Sequence, residues 1–249
     1  MCTTCGCDGA GAVLHDHEHS HVIPAGDSRT VTLQRKVLAK NDAIAQRNRD
    51  WLAGRGVCMV NLMSSPGAGK TTLLERTATD LAGRLVICVI EGDQETALDA
   101  DRIRAAGSAV VQINTGAGCH LDADMVARAL AALDPPPGSV AVIENVGNLV
   151  CPALFDLGES ARVVLGSVTE GADKPVKYPL MFRGADLVLV TKTDLLPYVD
   201  FDLVRYTADL AKIAPRARAL AVSAVSGAGL ADFCDWLERR QRPRPPARG

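Results

Sequence analysis

The sequence predicts an α/β fold in which a mainly parallel sheet is flanked by helices. From residue 57 onwards, short apolar runs alternate with longer amphipathic segments, which is the pattern of strand–helix–strand units. Most of the short runs are continuously apolar, as expected for strands that are covered on both faces. The chain has 249 residues, of which 47% are apolar, so it is long enough to bury a substantial core.

The elements are predicted in the following order along the chain. Residues 1–30 form a flexible tail, residues 31–55 an amphipathic helix, residues 56–240 the main domain and residues 241–249 a disordered Pro/Arg-rich tail. The seven strands of the main domain are predicted at residues 57–63, 85–90, 109–113, 140–144, 162–168, 186–191 and 217–222. Its helices are predicted at residues 70–82, 95–106, 122–133, 201–213 and 230–240.

Composition and charge exclude several classes of function. The formal net charge of −2 is too close to zero for a broad nucleic-acid-binding surface, so we expect no nucleic-acid partner. The longest apolar runs are far too short to span a bilayer, and no secretory signal follows the N-terminus. We therefore expect a cytoplasmic protein without a membrane partner. In that reducing compartment, clustered cysteines are expected to bind metal rather than to form disulfides.

A glycine-rich loop at residues 64–72 predicts a phosphate-binding site between the first strand and the first helix of the main domain. Its glycines let the backbone wrap around phosphate oxygens, and the helix N-terminus adds a favourable dipole. We expect Lys70 to reach the β- and γ-phosphates as a catalytic residue, and Thr71 to bind Mg²⁺. The expected phosphate-loop contacts are Ser65, Pro66, Gly67, Ala68, Gly69, Lys70, Thr71 and Thr72. Ser64 stands where the usual motif begins with glycine.

Two further strands end in acidic residues. Asp93 follows the second strand, where we expect it to bind Mg²⁺ or to orient the attacking water in catalysis. Glu144 ends the fourth strand, and we expect its carboxylate to lie near the same Mg²⁺ as a further catalytic group. Each acid taken alone is equally an ordinary strand-end carboxylate, but parallel strands should place both beside the phosphate loop.

A second motif predicts which base is bound. Residues 191–194, Thr-Lys-Thr-Asp, are similar to the guanine-reading Asn-Lys-x-Asp motif, with a threonine in place of the asparagine. Asp194 can accept two hydrogen bonds from the guanine edge, whereas adenine offers no matching pair of donors. We expect Lys192 to lie along the base and Ser223 and Ala224 to complete the contact. This order of motifs favours GTP over ATP.

The N-terminal residues predict a metal-binding tail. Cys2, Cys5 and Cys7 bring three thiolates together, which with one nitrogen suit tetragonal Ni²⁺ or tetrahedral Zn²⁺. The alternatives are an unstructured tail with idle thiols or a redox pair. Four of the five histidines lie in residues 15–21, which either buffer metal or form a solvated tail that binds it weakly.

A second metal site is predicted inside the main domain. Cys119 and His120 follow the third strand, and Cys151 lies just beyond the fourth, so both loops should emerge beside the nucleotide. Two thiolates and an imidazole can bind Zn²⁺ or Ni²⁺ with one position left open. The alternative is that these cysteines are simply buried. The three other cysteines are predicted to be core residues: Cys58, Cys88 and Cys234.

Together these motifs resemble the HypB family, the nickel-insertion GTPases of nickel–iron hydrogenase maturation. The matching segments are residues 1–7, 64–72, 91–94, 114–122, 144–152 and 173–179. The resemblance implies a P-loop GTPase fold of the SIMIBI type, shared with other metallochaperones, and a homodimer. It also implies nickel on the three N-terminal cysteines, and zinc or nickel on Cys119, His120 and Cys151.

The resulting prediction is a GTP-hydrolysing metallochaperone that inserts Ni²⁺ into the hydrogenase large-subunit precursor. GTP state would control dimerisation and metal transfer, because Glu144 and Cys151 share one loop. The expected cofactors are GTP, Mg²⁺, Ni²⁺ and Zn²⁺. The expected partners are a second copy, a HypA-like maturation protein that binds nickel or zinc, and the hydrogenase precursor. A nickel storage or buffering protein and a urease-type nickel-insertion GTPase are the alternatives.

Overall fold

The computed structural model describes residues 13–15, 20–22, 28–93, 98–116 and 118–242. The predicted N-terminal metal ligands Cys2, Cys5 and Cys7 lie outside these residues, as do most of the histidine tract and the last seven residues. Two short strands, β1 (Val13–His15) and β2 (Ser20–Val22), pair antiparallel. Within the described part of the chain, no helix has the length and apolar character needed to cross a membrane.

A seven-stranded parallel sheet forms the centre of the main domain, which confirms the predicted fold class. Its strands are β3 (Cys58–Ser64), β4 (Ile87–Asp93), β5 (Ala109–Asn114), β6 (Val140–Gly147), β7 (Ala161–Ser167), β8 (Leu187–Thr191) and β9 (Arg218–Ala221). Their order is β5-β4-β6-β3-β7-β8-β9, and every neighbouring pair is parallel. All seven predicted strands are present, with ends displaced by up to three residues.

Helices cover both faces of the sheet. They are α1 (Ser28–Arg55), α2 (Lys70–Asp80), α3 (Leu98–Ala105), α4 (Ala123–Leu133), α5 (Lys174–Lys177), α6 (Pro179–Arg183), α7 (Leu203–Ile213) and α8 (Leu230–Gln241). The predicted helices are confirmed. Sequence reasoning missed α5 and α6, because segments of four and five residues are too short to show a helical period.

The core lies in layers between the sheet and these helices. One cluster joins the sheet to α2 and α8, and a second joins it to α1 and α4. The three cysteines predicted to be core residues are buried: Cys58, Cys88 and Cys234. The burial of continuously apolar strands on both faces explains why the chain's apolar residues are concentrated there.

Helix α1 is held to the start of α4 by two buried asparagines. Asn48 Nδ2 donates to the carbonyl oxygens of Ala123 and Leu157, at 2.9 and 3.1 Å. Asn41 Oδ1 accepts from the Ala123 backbone N–H at 2.9 Å. These bonds satisfy polar groups that would otherwise be costly to bury. They also fix the position of the segment that directly follows His120.

Candidate functional site

The phosphate loop and the ends of β4 and β6 form much of the wall of a cavity of about 580 Å³. Gly67 and Gly69 have φ angles of 73° and 95°, in the left-handed region that glycine adopts without strain. Lys70 is buried, and its Nζ donates to Ser64 Oγ at 3.0 Å. Burial lowers the pKa of Lys70, and the carboxylate of Glu144 partly opposes this effect. The loop therefore has the shape and charge that a phosphate group requires.

Two buried glutamates face each other across the β4–β6 register beside the loop. Glu144 Oε1 accepts from Thr71 Oγ1 at 2.7 Å, and Glu91 lies opposite Glu144. Burial raises the pKa of Glu144 to about 7, against the opposing effects of Lys70 and Thr71. Burial, followed by the charge of Glu144, also raises the pKa of Glu91 to about 7. The Oε2 atoms of both glutamates have no hydrogen-bond partner within the described residues.

These unpaired oxygens make the phosphate end of the cavity suitable for a divalent cation. Buried carboxylates and a threonine hydroxyl match the oxygen ligands that Mg²⁺ prefers, either directly or through water. Asp93, the predicted magnesium ligand and catalytic acid, lines the same cavity, and its backbone carbonyl accepts from the Thr115 N–H at 2.9 Å. The structure thus brings the predicted residues Lys70, Thr71, Asp93 and Glu144 together.

Sequence reasoning missed several residues of this cavity. Besides Glu91, the wall includes Asp99 and Arg102 of α3. Arg102 forms ion pairs with Glu75 and Asp99, at 2.6 and 3.1 Å, and donates to Thr72 Oγ1 at 3.3 Å. The acidic segment 91–93 was a sequence signal that could have identified Glu91 as a residue of the cavity. No sequence signal identified Arg102, because helical periodicity does not tell which helix faces a cavity.

Gly147 packs directly against the phosphate loop. A Cβ built on Gly147 would lie 2.9 Å from both the Cα and the N of Pro66. This close approach gives a structural reason for a glycine at position 147. Only a residue without a side chain fits between β6 and the loop, so the end of β6 and the loop must move together.

The predicted guanine-reading residues lie on two neighbouring loops. Lys192 lines the cavity, and its Nζ donates to the Gly67 carbonyl oxygen at 2.7 Å. Asp194 accepts from Ser223 Oγ at 2.5 Å. The cavity wall, as the described residues form it, does not include Asp194, Ser223 or Ala224. The structure therefore brings Asp194 and Ser223 together, outside the cavity wall that Lys192 lines.

Thr191 stands where the usual motif has asparagine. Its Oγ1 donates to the Ala68 carbonyl oxygen at 2.7 Å, so it ties β8 to the phosphate loop. Thr191 is buried and its hydroxyl is hydrogen-bonded, so the threonine still anchors the phosphate loop to β8.

The three predicted internal metal ligands form one cluster. Their ligand atoms all lie within 4.8 Å of one another. Cys119 Sγ lies 3.1 Å from Cys151 Sγ and 3.7 Å from His120 Nδ1. The His120 ring stacks on Phe155, with ring centroids 4.0 Å apart. Burial lowers the pKa of His120 although Asp122 opposes it, which favours the neutral imidazole that binds metals.

The cysteine cluster (Cys119, His120 and Cys151) touches the nucleotide cavity, because Cys119 belongs to the cavity wall. The two loops that carry the cluster are joined by Asn148, whose Nδ2 donates to the Cys119 carbonyl oxygen at 3.2 Å. Asn148 thus connects the wall of the nucleotide cavity directly to the backbone of a proposed metal ligand.

Comparison with known proteins identifies a nucleotide-binding domain in this chain. The family described as "CobW/HypB/UreG, nucleotide-binding domain" matches residues 58–221. The chain is 53% identical over 218 residues to the hydrogenase maturation factor HypB of Rhizobium leguminosarum bv. viciae, covering 88% of this chain and 73% of that protein. This chain belongs to the HypB family. The family membership that the motifs predicted is thereby confirmed.

Solved HypB structures share the fold. HypB from Archaeoglobus fulgidus superimposes with a TM-score of 0.78 at 39% identity, covering 82% of this chain and all of that one. HypB from Helicobacter pylori in complex with nickel gives a TM-score of 0.77 at 40% identity, covering 82% and 95%. The predicted P-loop fold of the SIMIBI type is therefore confirmed.

Proposed function

We propose that this chain is a GTP-hydrolysing nickel metallochaperone that inserts Ni²⁺ into the large-subunit precursor of a nickel–iron hydrogenase. The observation that carries the proposal is the contact between its two sites. Cys119 belongs both to the wall of the nucleotide cavity and to the cysteine cluster. Binding of a nucleotide and binding of a metal ion thus occur side by side, and each is able to affect the other.

Hydrolysis is assigned to the phosphate end of the cavity. Lys70 lies at the base of the loop, where its ammonium group would neutralise charge developing on the transferred phosphoryl group. Thr71, Glu144 and Asp93 are the proposed surroundings of Mg²⁺, which when bound would supply further charge neutralisation. Asp93 is also suited to orient the attacking water. An arginine that stabilises the transferred phosphoryl group speeds hydrolysis, but Arg102 is held by two carboxylates. We therefore expect slow hydrolysis by the isolated protein.

GTP is the proposed nucleotide. The Asp194 carboxylate is held by Ser223 Oγ, which leaves it oriented as an acceptor for the guanine edge. Lys192 is the proposed residue that lies along the base, and its bond to the Gly67 carbonyl at the phosphate loop supports this role.

Nickel is the proposed cargo of the cysteine cluster, with zinc as the alternative occupant. Two sulfur atoms and a neutral imidazole nitrogen suit either metal. The solved HypB from Helicobacter pylori is a complex with nickel, which supports nickel here. Cys2, Cys5 and Cys7 are proposed as a separate nickel-capturing set in the N-terminal tail. The cytoplasm is the proposed compartment, because thiolate ligands stay reduced there.

Nucleotide state is proposed to control both metal transfer and association. Loss of the γ-phosphate changes the contacts at the phosphate end, and β6 carries that change towards Cys151. The proposed partners are a second copy of the chain, a HypA-like maturation protein that binds nickel or zinc, and the hydrogenase precursor. The names of the relatives, hydrogenase maturation factors, support this assignment.

The test is hydrogenase activity in a host that lacks this protein, with and without excess nickel. We expect low activity that excess nickel restores, because delivery rather than the hydrogenase itself is missing. Full activity without the protein, or a defect confined to urease, would contradict the proposal. Complementation with Lys70→Ala separates this function from nickel storage: a storage protein would still support maturation, whereas a GTPase-driven metallochaperone would not.

A further inference from the structure

Asn148 contacts both loops that carry the cysteine cluster. It lines the nucleotide cavity, and its side chain is half-buried. Its Nδ2 donates to the Cys119 carbonyl oxygen at 3.2 Å, and its Oδ1 accepts from the Val150 backbone N–H at 2.9 Å. Cys151 is the next residue after Val150. One side chain thus holds the backbone next to each of the two cysteine ligands.

The residue before Asn148, Gly147, packs against the phosphate loop. Gly147 lies so close to Pro66 that no Cβ fits between them. Packed interiors transmit such displacements because they have little free space to absorb them. A shift of the loop on exchange of nucleotide would therefore move Gly147 and, with it, Asn148.

The ring stacking between the two ligand loops lies away from the nucleotide cavity. His120 stacks on Phe155, but Phe155 lines a separate cavity of about 360 Å³ next to α1. Asn148, by contrast, belongs to the wall of the nucleotide cavity. Among the described residues, Asn148 is therefore a cavity-wall side chain that is not itself a proposed ligand and that joins the two ligand loops.

We infer that Asn148 is the positioning residue that makes the nickel affinity of the cysteine cluster depend on the bound nucleotide. This inference rests on the proposed function, in which nucleotide state controls metal transfer, and it names the residue that carries the regulation. When Asn148 moves with the end of β6, its bond to Cys119 and the turn at Val150 change the spacing of the two sulfur atoms. Contacts that orient metal ligands commonly change metal affinity by about 10–100-fold.

The chain offers a matched control in Asn114. Asn114 Oδ1 also accepts from a backbone N–H two residues on, that of Gly116, at 2.8 Å. It is the last residue of β5, directly before the loop leading to Cys119, but it is exposed and does not belong to the wall of the nucleotide cavity. Asn114→Ala therefore removes the same kind of turn without removing a bond between the loops.

The experiment measures the nickel affinity of the full chain with saturating GDP and with a saturating non-hydrolysable GTP analogue. Cys2, Cys5 and Cys7 are changed to serine in all samples, so that thiolate ligation arises at the internal cluster. Sulfur-to-nickel charge-transfer absorption follows the bound Ni²⁺, because the histidine tract gives no such band. A competing chelator sets the free nickel concentration.

We expect the two nucleotide states of the parent chain to differ in nickel affinity by at least about fivefold, the lower end of common allosteric couplings. In Asn148→Ala the ratio should fall to within about twofold of one, and in Asn114→Ala it should stay at the parent value. If Asn148→Ala kept the same affinity ratio as the parent chain, the inference would be overturned, even if nickel bound more weakly in both nucleotide states. A parent ratio of one would instead overturn the nucleotide control in the proposed function, and this inference with it.

Asn148→Asp tests which of the two bonds matters. The aspartate keeps an acceptor for the Val150 N–H but has no donor for the Cys119 carbonyl. We expect its affinity ratio to fall as in Asn148→Ala. A parent ratio in Asn148→Asp would overturn the bond to Cys119 as the coupling contact.

Discussion

The phosphate end of the cavity and the cysteine cluster lie side by side but are assembled differently. The phosphate loop is one continuous segment, residues 64–72, and Lys70 and Ser64 within it are hydrogen-bonded to each other. The cluster instead combines Cys119 and His120 with Cys151, which is more than thirty residues away in sequence. The loop's geometry is local, whereas the cluster's geometry depends on how two loops are held together.

This difference predicts how each site responds to change. A site within one segment should lose its chemistry when a charged residue is removed, while its shape persists. A site formed from two loops should be adjustable by the contact that joins them, which suits a metal ion that must be both held and released. The following variants test this comparison, from the largest expected effect to the smallest.

Lys70→Ala should reduce the rate of GTP hydrolysis by about 10²–10³-fold, the usual effect of removing one preorganised stabilising group. The ammonium group is the cation at the base of the loop, and no other group of the loop supplies its charge. Single-turnover hydrolysis is the measurement. Lys212→Ala is the control, because that exposed lysine on α7 pairs with Asp209. A loss smaller than tenfold would contradict the assignment of Lys70.

Cys151→Ser should weaken nickel binding at the cluster by about 100-fold, at the upper end of what altered ligand contacts cause. The substitution removes one of the two sulfur atoms, which lie 3.1 Å apart. Charge-transfer absorption of bound Ni²⁺ measures the loss, in chains in which Cys2, Cys5 and Cys7 are changed to serine. Cys234→Ser in the core of α8 should leave that band in place. Equal bands in both variants would show that the cluster is not the nickel site.

Gly147→Ala should weaken nucleotide binding by about tenfold, because overpacking commonly costs about 1–3 kcal/mol. The added Cβ would lie 2.9 Å from the Pro66 backbone, so the phosphate loop or β6 must shift. Calorimetric titration with GDP measures the effect. Gly54→Ala is the matched control, since nothing lies within 4 Å of its Cβ position. Unchanged affinity in Gly147→Ala would mean that the loop and β6 move independently.

Glu91→Gln should stabilise the nucleotide-free protein by about 1 kcal/mol near pH 8, part of the cost of a raised carboxyl pKa. The pKa of Glu91 rises from 4.5 to about 7 on folding, so between these values the unfolded chain releases a proton that the folded chain keeps. The free energy of unfolding therefore falls as pH rises through this window. The glutamine variant lacks the part of this fall that Glu91 causes, while the part caused by Glu144 remains.

Urea unfolding near pH 5 and near pH 8 measures the difference between Glu91→Gln and the parent chain. The gain should be larger at the higher pH. Glu238→Gln is the control, because its carboxylate forms an ion pair with Arg84 near the surface. A gain that is equal at both pH values would contradict the raised pKa of Glu91.

Much of the fold and site was predictable because the deciding residues lie close together in sequence or at neighbouring strand ends. The strand pattern, the phosphate loop and the cluster residues were all identified from adjacent residues or from strand ends that a parallel sheet must bring together. Arg102 and Glu91 were missed as cavity residues. Their roles depend on the orientation of α3 and on the β4–β6 register, which no short segment specifies.

The sequence by itself determined the parallel α/β fold, the phosphate-binding segment and the set of candidate metal ligands. Residue type and strand–helix periodicity act over short distances and therefore appear in the chain directly. Only the tertiary structure decided that Cys119 borders the nucleotide cavity, that Gly147 packs on Pro66 and that Asn148 joins the two ligand loops. Those contacts depend on distances of a few ångströms between residues far apart in sequence, which close packing sets only once the whole sheet and its loops are in place.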